Sequence, residues 1–420
     1  MSISKKIRKH LSITVLCVGL FFVLYFLASS FFSDNYSAVY DVSQKNTSTL
    51  PVTIVPEKKV THITTPEPLK VIYMTQCVVG TKPFRESLVK IADETEVNSI
   101  IIDIKDYTGR LAFDVKDSKL SPSISPTCGA SDMAEFVEYL HSKNIYVIGR
   151  MAVFQDPFFV KLRPDLAVQS RSTGLPWKDF KGLGFIDVGA KEYWNYISSI
   201  AKEAYAIGFD EVNFDYVRFP SDGKMEDALY VHSDGRPKPE VLKEFFAYLH
   251  DELKDTGLKT SADFFGMTTT SNDDLNIGQV LENVLPYFDF VVPMVYPSHY
   301  PKNFNGWANP DDYVYEVVHF AMSGAVKKAN ALDLLIANKN ATTTATSTIA
   351  VTTPKFNPPS WYKGGSAKKL RTWIQDFDYG GNYDIPEVKA QIKASYDAGV
   401  QSWMIWSPSN KYTVGALLKN

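Results

Sequence analysis

The chain has 420 residues, of which 45% are hydrophobic and 13% aromatic, so it can bury a large core as one large domain or two ordinary ones. Its net charge of -3 and its isoelectric point of about 6.2 lack the basic footprint that nucleic-acid-binding proteins carry. We therefore expect no nucleic-acid partner.

The N-terminus, residues 1–32, is predicted to anchor the chain in a membrane. Basic residues at positions 5, 6, 8 and 9 precede an uncharged run from Leu11 to Phe32. A bilayer-spanning helix needs about 20 residues, whereas the apolar region of a signal peptide has about 7–15. The basic flank should stay in the cytoplasm, which places everything after Phe32 outside. A cleaved signal peptide is the alternative, because positions 28–30 are small residues.

Two segments show neither helical nor strand periodicity. Residues 33–68 are rich in Ser, Thr, Val, Pro and Lys, which predicts an extended linker. Residues 338–368 are rich first in Thr and Ala and then in Pro and Gly, which predicts a flexible, disordered insertion before the seventh strand. The insertion is either a lid, since it contains Trp361 and Tyr362, or a solvated length variation.

From Leu69 to the C-terminus, the domain 69–420, apolar strand-like runs alternate with amphipathic helical stretches. Strands are predicted at 69–74, 98–104, 145–151, 209–215, 258–264, 288–295, 370–377 and 400–406. Helices are predicted at 83–96, 131–143, 190–207, 238–255, 277–285, 311–329, 386–398 and 411–419. This alternation predicts an α/β fold, most simply a (β/α)8 TIM barrel. A doubly wound sheet would alternate in the same way, but VVGTKPF follows the first strand instead of a glycine-rich phosphate turn.

Charged, polar and aromatic side chains collect at the predicted strand ends, which in a TIM barrel face one shared cleft. We predict Asp215 and Asp263 as the catalytic residues. The remaining members of this set are predicted to bind substrate: Asp103, Lys105, Asp106, Arg150, Arg218, Tyr296, His299, Gln375, Asp376, Asp378 and Trp406.

The segment FDEVNFDYVRFPSDG, 209–223, carries the strongest of these signals, because a strand gives way to a turn at Asp215. Arg218 is predicted to be the charge partner that favours the ionised form of Asp215. A structural ion pair that fixes the turn is the alternative. Asp263 stands between Ala262 and two phenylalanines, an apolar setting that would raise its pKa and suit a proton donor. A cap on the following turn is its alternative role.

Several catalytic patterns are absent from the sequence. The seven His residues form no HxxxH, HxH or HxxE arrangement, and there is no GxSxG elbow and no Walker loop. Neither Cys77 nor Cys128 has an obvious His partner, and the sequence leaves open whether these two form a disulfide. We expect no metal and no cofactor. The carboxylates that remain are suited to breaking a glycosidic bond, which most glycoside hydrolases do with two such groups.

Six motifs follow one another along the predicted barrel: IIDIKDYTG (101–109), GRMAVFQDP (149–157), GFDEVNFDYVRFPSDG (208–223), SADFFG (261–266), VVPMVYPSHY (291–300) and RTWIQDF (371–377). Together they resemble a widespread bacterial family of largely uncharacterised glycoside hydrolase domains on an α-amylase-like TIM barrel. The resemblance covers about 69–418 apart from the insertion.

The resemblance to amylase-like barrels implies a role for each strand-end carboxylate. The Asp that closes strand four would be the nucleophile, which falls on Asp215, and the acid/base after strand five falls on Asp263. An Asp after strand seven would hold sugar hydroxyls, which falls on Asp376 or Asp378. The amylase-type acid/base is usually Glu, one methylene longer than Asp, so the second carboxylate could instead be at 103 or 106.

Two functions from different classes remain open. The first is a membrane-anchored, extracytoplasmic glycoside hydrolase that acts on a polysaccharide of the envelope or matrix, α-linked by the resemblance. The second is a barrel that binds glycan without cleaving it and serves surface attachment. A metal-dependent deacetylase would need clustered His, which the chain lacks. Two carboxylates facing each other across an open cleft would favour the hydrolase.

Overall fold

A computed structural model describes residues 60–342 and 356–419, with side chains up to residue 339 in the first range. The predicted anchor, residues 1–32, and most of the predicted linker lie outside the described residues. In the part of the chain that is described, no helix is both long and apolar enough to cross a bilayer. The membrane anchor therefore stays a prediction.

Eight parallel strands close into a barrel, which confirms the predicted fold class. The strands are β1 (Lys70–Met74), β2 (Ser99–Lys105), β3 (Tyr146–Ala152), β4 (Glu211–Asp215), β5 (Lys259–Phe265), β6 (Phe290–Met294), β7 (Thr372–Gln375) and β8 (Trp403–Trp406). Each strand pairs with the next one along the chain, and β8 pairs with β1. All eight predicted strands overlap observed ones.

Helices follow most strands and surround the barrel. The α-helices are α1 (Gln76–Val79), α2 (Lys82–Glu94), α3 (Met133–Ser142), α4 (Pro157–Leu162), α5 (Lys191–Ala206), α6 (Lys238–Leu253), α7 (Leu281–Val284), α8 (Val314–Thr342) and α9 (Ile385–Asp397). Short 3-10 turns lie at Ser121–Ser123, Pro164–Leu166, Met225–Asp227, Gly266–Thr269, Pro297–His299, Phe304–Gly306, Pro310–Tyr313, Ser366–Lys369 and Val414–Ala416. Outside the barrel, Gln169–Ser170 and Ala228–Leu229 form a two-stranded antiparallel sheet.

Three predicted helices differ from the observed ones. The predicted helix 277–285 is reduced to the single turn α7, because Gly278 takes a positive φ and Val280 is extended. The predicted helix 411–419 is only a 3-10 turn at Val414–Ala416. In the other direction, α8 runs on past residue 329, because the sequence after it (NALDLLIANKNA) contains good helix formers and neither Gly nor Pro.

The alternation of side chains along β4 separates the hydrophobic core from the functional groups. Val212 and Phe214 point outward and join the large core between barrel and helices. Glu211, Asn213 and Asp215 point into the barrel, at successively higher levels. The strand therefore carries its polar residues inward, toward the end of the barrel at which TIM-barrel enzymes build their sites.

The N-terminal end of the barrel is closed by a buried ion pair and by the chain segment that precedes β1. Arg371 donates through Nη1 to both carboxylate oxygens of Glu211, at 2.8 and 3.0 Å. The amide of Ile63 donates to Asp210 (2.8 Å), and the Thr65 hydroxyl donates to Tyr146 (3.1 Å). The last residues of the predicted linker 33–68 therefore contact the barrel, and the rest of the linker stays a prediction.

The structure differs from the predicted insertion, 338–368, at both of its ends. Its first residues continue α8 to Thr342. Its last residues pack on the barrel, where the Trp361 ring stacks on His250 with 4.3 Å between centroids and Tyr362 is buried. These aromatic contacts lie beside the N-terminal ends of β5 and β6, so Trp361 and Tyr362 form no lid over the opposite end. Residues 343–355 lie outside the described residues.

Cys77 and Cys128 form a disulfide, with 4.4 Å between their Cα atoms. The bond ties α1 to the loop that precedes α3. It resolves the question that the sequence left open.

Candidate active site

Arg150 is the centre of the polar cluster at the C-terminal end of the barrel. Its Nη1 donates to Asp103 at 2.6 Å, and its Nη2 donates to Asp215. Its Nε lies 3.8 Å from Oδ2 of Asp263. One guanidinium on β3 thus faces carboxylates from β2, β4 and β5. Burial alone would lower the pKa of Arg150, but Asp103 and Asp215 raise it well above its usual value.

Asp263 is buried and held on one side by two N–H donors. Asn213 donates to its Oδ1 at 2.9 Å, and the indole of Trp373 donates to the same atom at 2.8 Å. Its other oxygen lies beyond hydrogen-bonding distance of Arg150. Burial, followed by the charge of Asp215, raises the pKa of Asp263 well above its usual value. This carboxyl group therefore holds its proton more strongly than an exposed aspartate does.

Asp215 has the opposite environment. Besides the charged hydrogen bond from Arg150, its Oδ1 accepts the backbone N–H of Tyr216 at 2.5 Å. Both donors stabilise the carboxylate form. Tyr216 has a φ of 52°, which is unusual for a bulky residue and marks a sharp turn directly after β4.

Asp103 lies behind Arg150. The Tyr73 hydroxyl donates to its Oδ2, and burial raises the pKa of Asp103 despite the neighbouring Arg150. Burial also raises the pKa of Tyr73. This pair orients the guanidinium from below, so Asp103 acts on the site through Arg150.

A cavity of about 360 Å³ opens above these carboxylates. Seven of the predicted site residues line it: Arg150, Asp215, Arg218, Asp263, Tyr296, His299 and Trp406. Its aromatic wall continues outward, because the His299 ring lies 6.0 Å from the exposed ring of Tyr379 and Phe377 packs on Trp406 at 4.9 Å. Aromatic faces of this kind stack on the apolar faces of sugar rings.

Arg218 lines the cavity but is not the charge partner of Asp215, so that prediction was wrong. Arg218 donates through Nη1 to the carbonyl of Phe219 at 3.0 Å, and Arg150 takes its place beside Asp215. The turn at Tyr216 explains the difference, since it carries the chain away from β4 before Arg218 is reached. The sequence placed the two charges close together in the chain, but the partner came from the neighbouring strand.

Lys105 and Asp106 do not reach the cavity, contrary to the prediction. The register between β2 and β3 shifts between Asp103 and Lys105, and this bulge turns the lysine outward. There its Nζ is fully buried and pairs with Asp156 at 2.9 Å. Asp106 instead accepts the N–H of Thr108 at 2.9 Å and stabilises a turn.

The polar residues after β7 are also structural. Asp376 accepts the backbone N–H of Thr413 at 2.7 Å, and Asp378 accepts that of Tyr383 at 2.9 Å. Gln375 accepts the hydroxyl of Ser298 at 2.8 Å, which holds the turn that carries His299. None of the carboxyl or amide groups at 375, 376 and 378 lines the cavity, so the geometry does not place them as direct sugar ligands.

The sequence analysis missed several residues that build the site. Asn213 and Trp373 bind Asp263, and Tyr73 binds Asp103. Period-two alternation would have found Asn213, because it lies two positions before Asp215 and so faces inward. Tyr73 and Trp373 could not be recognised in this way, because aromatic residues are common in strands. Further cavity residues are Tyr216, Ser221, Asp222, Phe265, Met294 and Tyr300.

The arrangement can supply a proton and a base within one cleft. Burial raises the pKa of Asp263, Asp215 accepts a charged hydrogen bond from Arg150, and both carboxyl groups face the same cavity. Among the described residues, no group of three or more His, Cys, Asp or Glu side chains is arranged to hold a metal ion.

Comparison with known families supports a glycan-cleaving site. The family described as "Putative glycosyl hydrolase domain" matches residues 71–341 and 336–412, most of the chain. Among curated proteins, none matches.

Several solved structures are similar to parts of this chain. A hypothetical protein from Ruminiclostridium thermocellum is 32% identical over 45% of this chain and 96% of its own, with a TM-score of 0.41. The glycoside hydrolase domain of PgaB (BpsB) from Bordetella bronchiseptica is 11% identical over 83% of this chain and 99% of its own, with a TM-score of 0.54. Alpha-L-fucosidase isoenzyme 2 from Paenibacillus thiaminolyticus is 12% identical over 83% of this chain and 48% of its own, with a TM-score of 0.50. The last two show the fold alone.

Proposed function

This chain belongs to the glycosyl hydrolase domain family, and we propose that it cleaves a polysaccharide with Asp215 and Asp263 as its two catalytic carboxylates. The observation that supports the proposal most is the difference between the surroundings of the two carboxyl groups. Asp215 is stabilised as a carboxylate by Arg150, whereas burial raises the pKa of Asp263. Glycosidic cleavage requires one carboxyl group that donates a proton and a second that acts as nucleophile or base, and these two line one cavity.

In this mechanism Asp263 donates a proton to the glycosidic oxygen as the bond to the leaving sugar breaks. Its Oδ1 is occupied by the donors Asn213 and Trp373, which leaves Oδ2 to carry the proton. Asp215 either attacks the anomeric carbon as the nucleophile, forming an intermediate that water hydrolyses, or removes a proton from the water that attacks this carbon. Arg150 positions Asp215 and stabilises its charge.

The surroundings of the two carboxylates suit a sugar chain. Tyr296 and Trp406 form a wall of the cavity, with 5.1 Å between their ring centroids, and the exposed ring of Tyr379 extends it. We extend the proposal to an α-linked polysaccharide of the envelope or matrix, on the strength of the amylase-like motifs. We also propose an extracytoplasmic location at the cell membrane, supported by the uncharged run from Leu11 to Phe32.

The proposal is tested by screening the full chain against a panel of bacterial polysaccharides and measuring new reducing ends. Asp215→Asn and Asp263→Asn should each lower kcat by about 100- to 10,000-fold while the fold is kept. The matched control is Asp251→Asn, since that carboxylate is exposed on α6, where it pairs with Lys254. Normal turnover by Asp215→Asn would remove this residue from the mechanism.

A second substrate separates the two roles. An aryl glycoside of the preferred sugar has a leaving group that needs no proton, so Asp263→Asn should lose far less activity on it than on the polysaccharide. Asp215→Asn should lose both activities equally. If the wild type binds glycans, cleaves none of them, and binds them equally well in both Asn variants, the barrel is a glycan-binding protein.

A further inference from the structure

Arg218 is a buried cation that faces the cavity without a carboxylate partner. Its side chain is 6% exposed. Two other arginines are buried in the described part of the chain, and each has a counter-ion: Arg85 pairs with Asp132 at 2.6 Å, and Arg371 pairs with Glu211 at 2.8 Å. Arg218 forms no such ion pair with any described residue, although the cavity beside it contains carboxylates.

The guanidinium of Arg218 is held in place but only partly hydrogen-bonded. Its carbon lies over the ring of Phe265 at 4.8 Å and over that of Tyr216 at 5.2 Å. One nitrogen, Nη1, donates to the carbonyl of Phe219. A guanidinium has five N–H donors, and within the described residues this carbonyl is the acceptor that Arg218 has. The aromatic rings thus fix the group while leaving donors for a ligand in the cavity.

The nearby carboxylates do not neutralise Arg218. Asp215 is occupied by Arg150, and Asp222 is exposed at the rim, where it accepts the hydroxyl of Ser221 at 2.9 Å. Burial lowers the pKa of Arg218, while the charges of Tyr216, Asp215 and Asp222 act in the opposite direction without forming an ion pair with it. An anion that enters the cavity would replace the water that the Arg218 guanidinium loses on burial, and it would bind to a guanidinium that is already held in position.

We propose that the substrate is an anionic glycan and that Arg218 binds the acidic substituent of one of its sugars. The inference rests on the proposed function, because it concerns the same cavity. The carboxylate of a uronic acid suits the group best, since a planar guanidinium binds a planar carboxylate through two parallel hydrogen bonds. A sulfate or phosphate ester on a sugar has the same charge chemistry, and the experiment separates these sources.

The first experiment measures binding to the full chain by titration calorimetry at low salt. The probes are D-glucuronate, D-glucose, D-glucose 6-sulfate and D-glucose 6-phosphate. The wild type should bind glucuronate about 10- to 100-fold more tightly than glucose. Arg218→Met should lose this preference, and Arg218→Lys should keep only part of it, because an ammonium cannot bind in a bidentate way. Arg236→Met is the control, since that arginine is on the surface and pairs with Glu244.

The second experiment uses one polysaccharide in two forms, a polyuronide and the same polymer after its carboxyl groups have been reduced to alcohols. For the wild type, kcat/KM should fall about 10- to 100-fold on carboxyl reduction. For Arg218→Met the two forms should be cleaved at the same low rate. This comparison in the wild type holds even if the variant fails to fold.

The outcomes distinguish this inference from the proposed function. Equal binding of glucuronate and glucose by the wild type, or an unchanged preference in folded Arg218→Met, would overturn the anionic-sugar site. Hydrolysis of neutral polymers alone would also overturn it while leaving the hydrolase in place. Arg218-dependent binding of glucuronate with no cleavage of any polymer would support the site and refute the hydrolase. Tighter binding of the sulfate or phosphate ester than of glucuronate would overturn the assignment to uronic acid.

Discussion

Arg150 on β3 donates a hydrogen bond to Asp215 on β4, although the two residues are 65 positions apart in the sequence. The same guanidinium binds Asp103 and faces Asp263. The positions of Asp103 and Asp215 therefore depend on one side chain, which donates hydrogen bonds to both at once. In the proposed mechanism Arg150 keeps Asp215 charged, and it lies close to the proton donor without binding it directly.

Replacing Arg150 by Met should destabilise the fold as well as the site. The change leaves Asp103 and Asp215 buried without their counter-ion, and the loss of one partner from a buried ion pair costs about 3–5 kcal/mol. The free energy of unfolding from urea titrations at pH 7 measures this loss. Arg236→Met removes an exposed ion pair with Glu244 and should cost less than about 1 kcal/mol. Equal stability of Arg150→Met and the wild type would show that the carboxylates do not need this guanidinium.

Asp263→Asn should make the protein more stable at neutral pH, even though it removes a catalytic group. Because the folded state raises the pKa of Asp263, folding favours its protonated form. The stability of the wild type is then highest below the unfolded pKa of about 3.9 and falls as the pH rises toward the folded value. Asn mimics the protonated acid, so the melting temperatures of variant and wild type should meet near pH 4 and diverge at pH 7. A constant difference across this range would contradict the raised pKa.

The barrel could be predicted from the sequence because its signal is local. Each strand is a short apolar run between turn residues, and all eight were placed correctly. The extents of α7 and α8 could not be predicted in the same way. A positive φ at Gly278 makes α7 begin later than the pattern predicts, and the absence of a Gly or Pro lets α8 continue.

The site could be predicted only in part, because its contacts join different strands. The chain order pointed to Asp215 and Asp263, and both line the cavity. It also pointed to Arg218 as a partner, whereas the register of β3 against β4 places Arg150 there. The prediction that Lys105 lies in the cavity was wrong because of a β-bulge, which no residue type in the sequence indicates. Contacts between different strands and irregularities of register therefore limit how well a site can be predicted from the residues at the strand ends.

Reduction of the disulfide should lower stability without removing the fold. The bond between Cys77 and Cys128 joins positions 51 residues apart, and closing a loop of this length stabilises a protein by about 2–4 kcal/mol. The double variant Cys77→Ser/Cys128→Ser should unfold at a correspondingly lower urea concentration. Treatment with reductant should bring the wild type to the same midpoint and leave the variant unchanged. A variant as stable as the oxidised wild type would mean that the bond adds nothing to folding.

The ion pair at the opposite end of the barrel gives a test that separates stability from catalysis. Glu211→Gln leaves Arg371 buried without a counter-ion and should cost about 3–5 kcal/mol, whereas kcat per folded molecule should stay unchanged. The double variant Glu211→Leu/Arg371→Met removes both charges and should recover much of the loss, because buried ion pairs replaced by apolar residues are often no less stable. Urea unfolding of the wild type, Glu211→Leu, Arg371→Met and the double variant forms a double-mutant cycle. Additive losses would show that the two charges do not interact, and a fall in kcat would show that the closed end of the barrel controls the carboxylates at the open one.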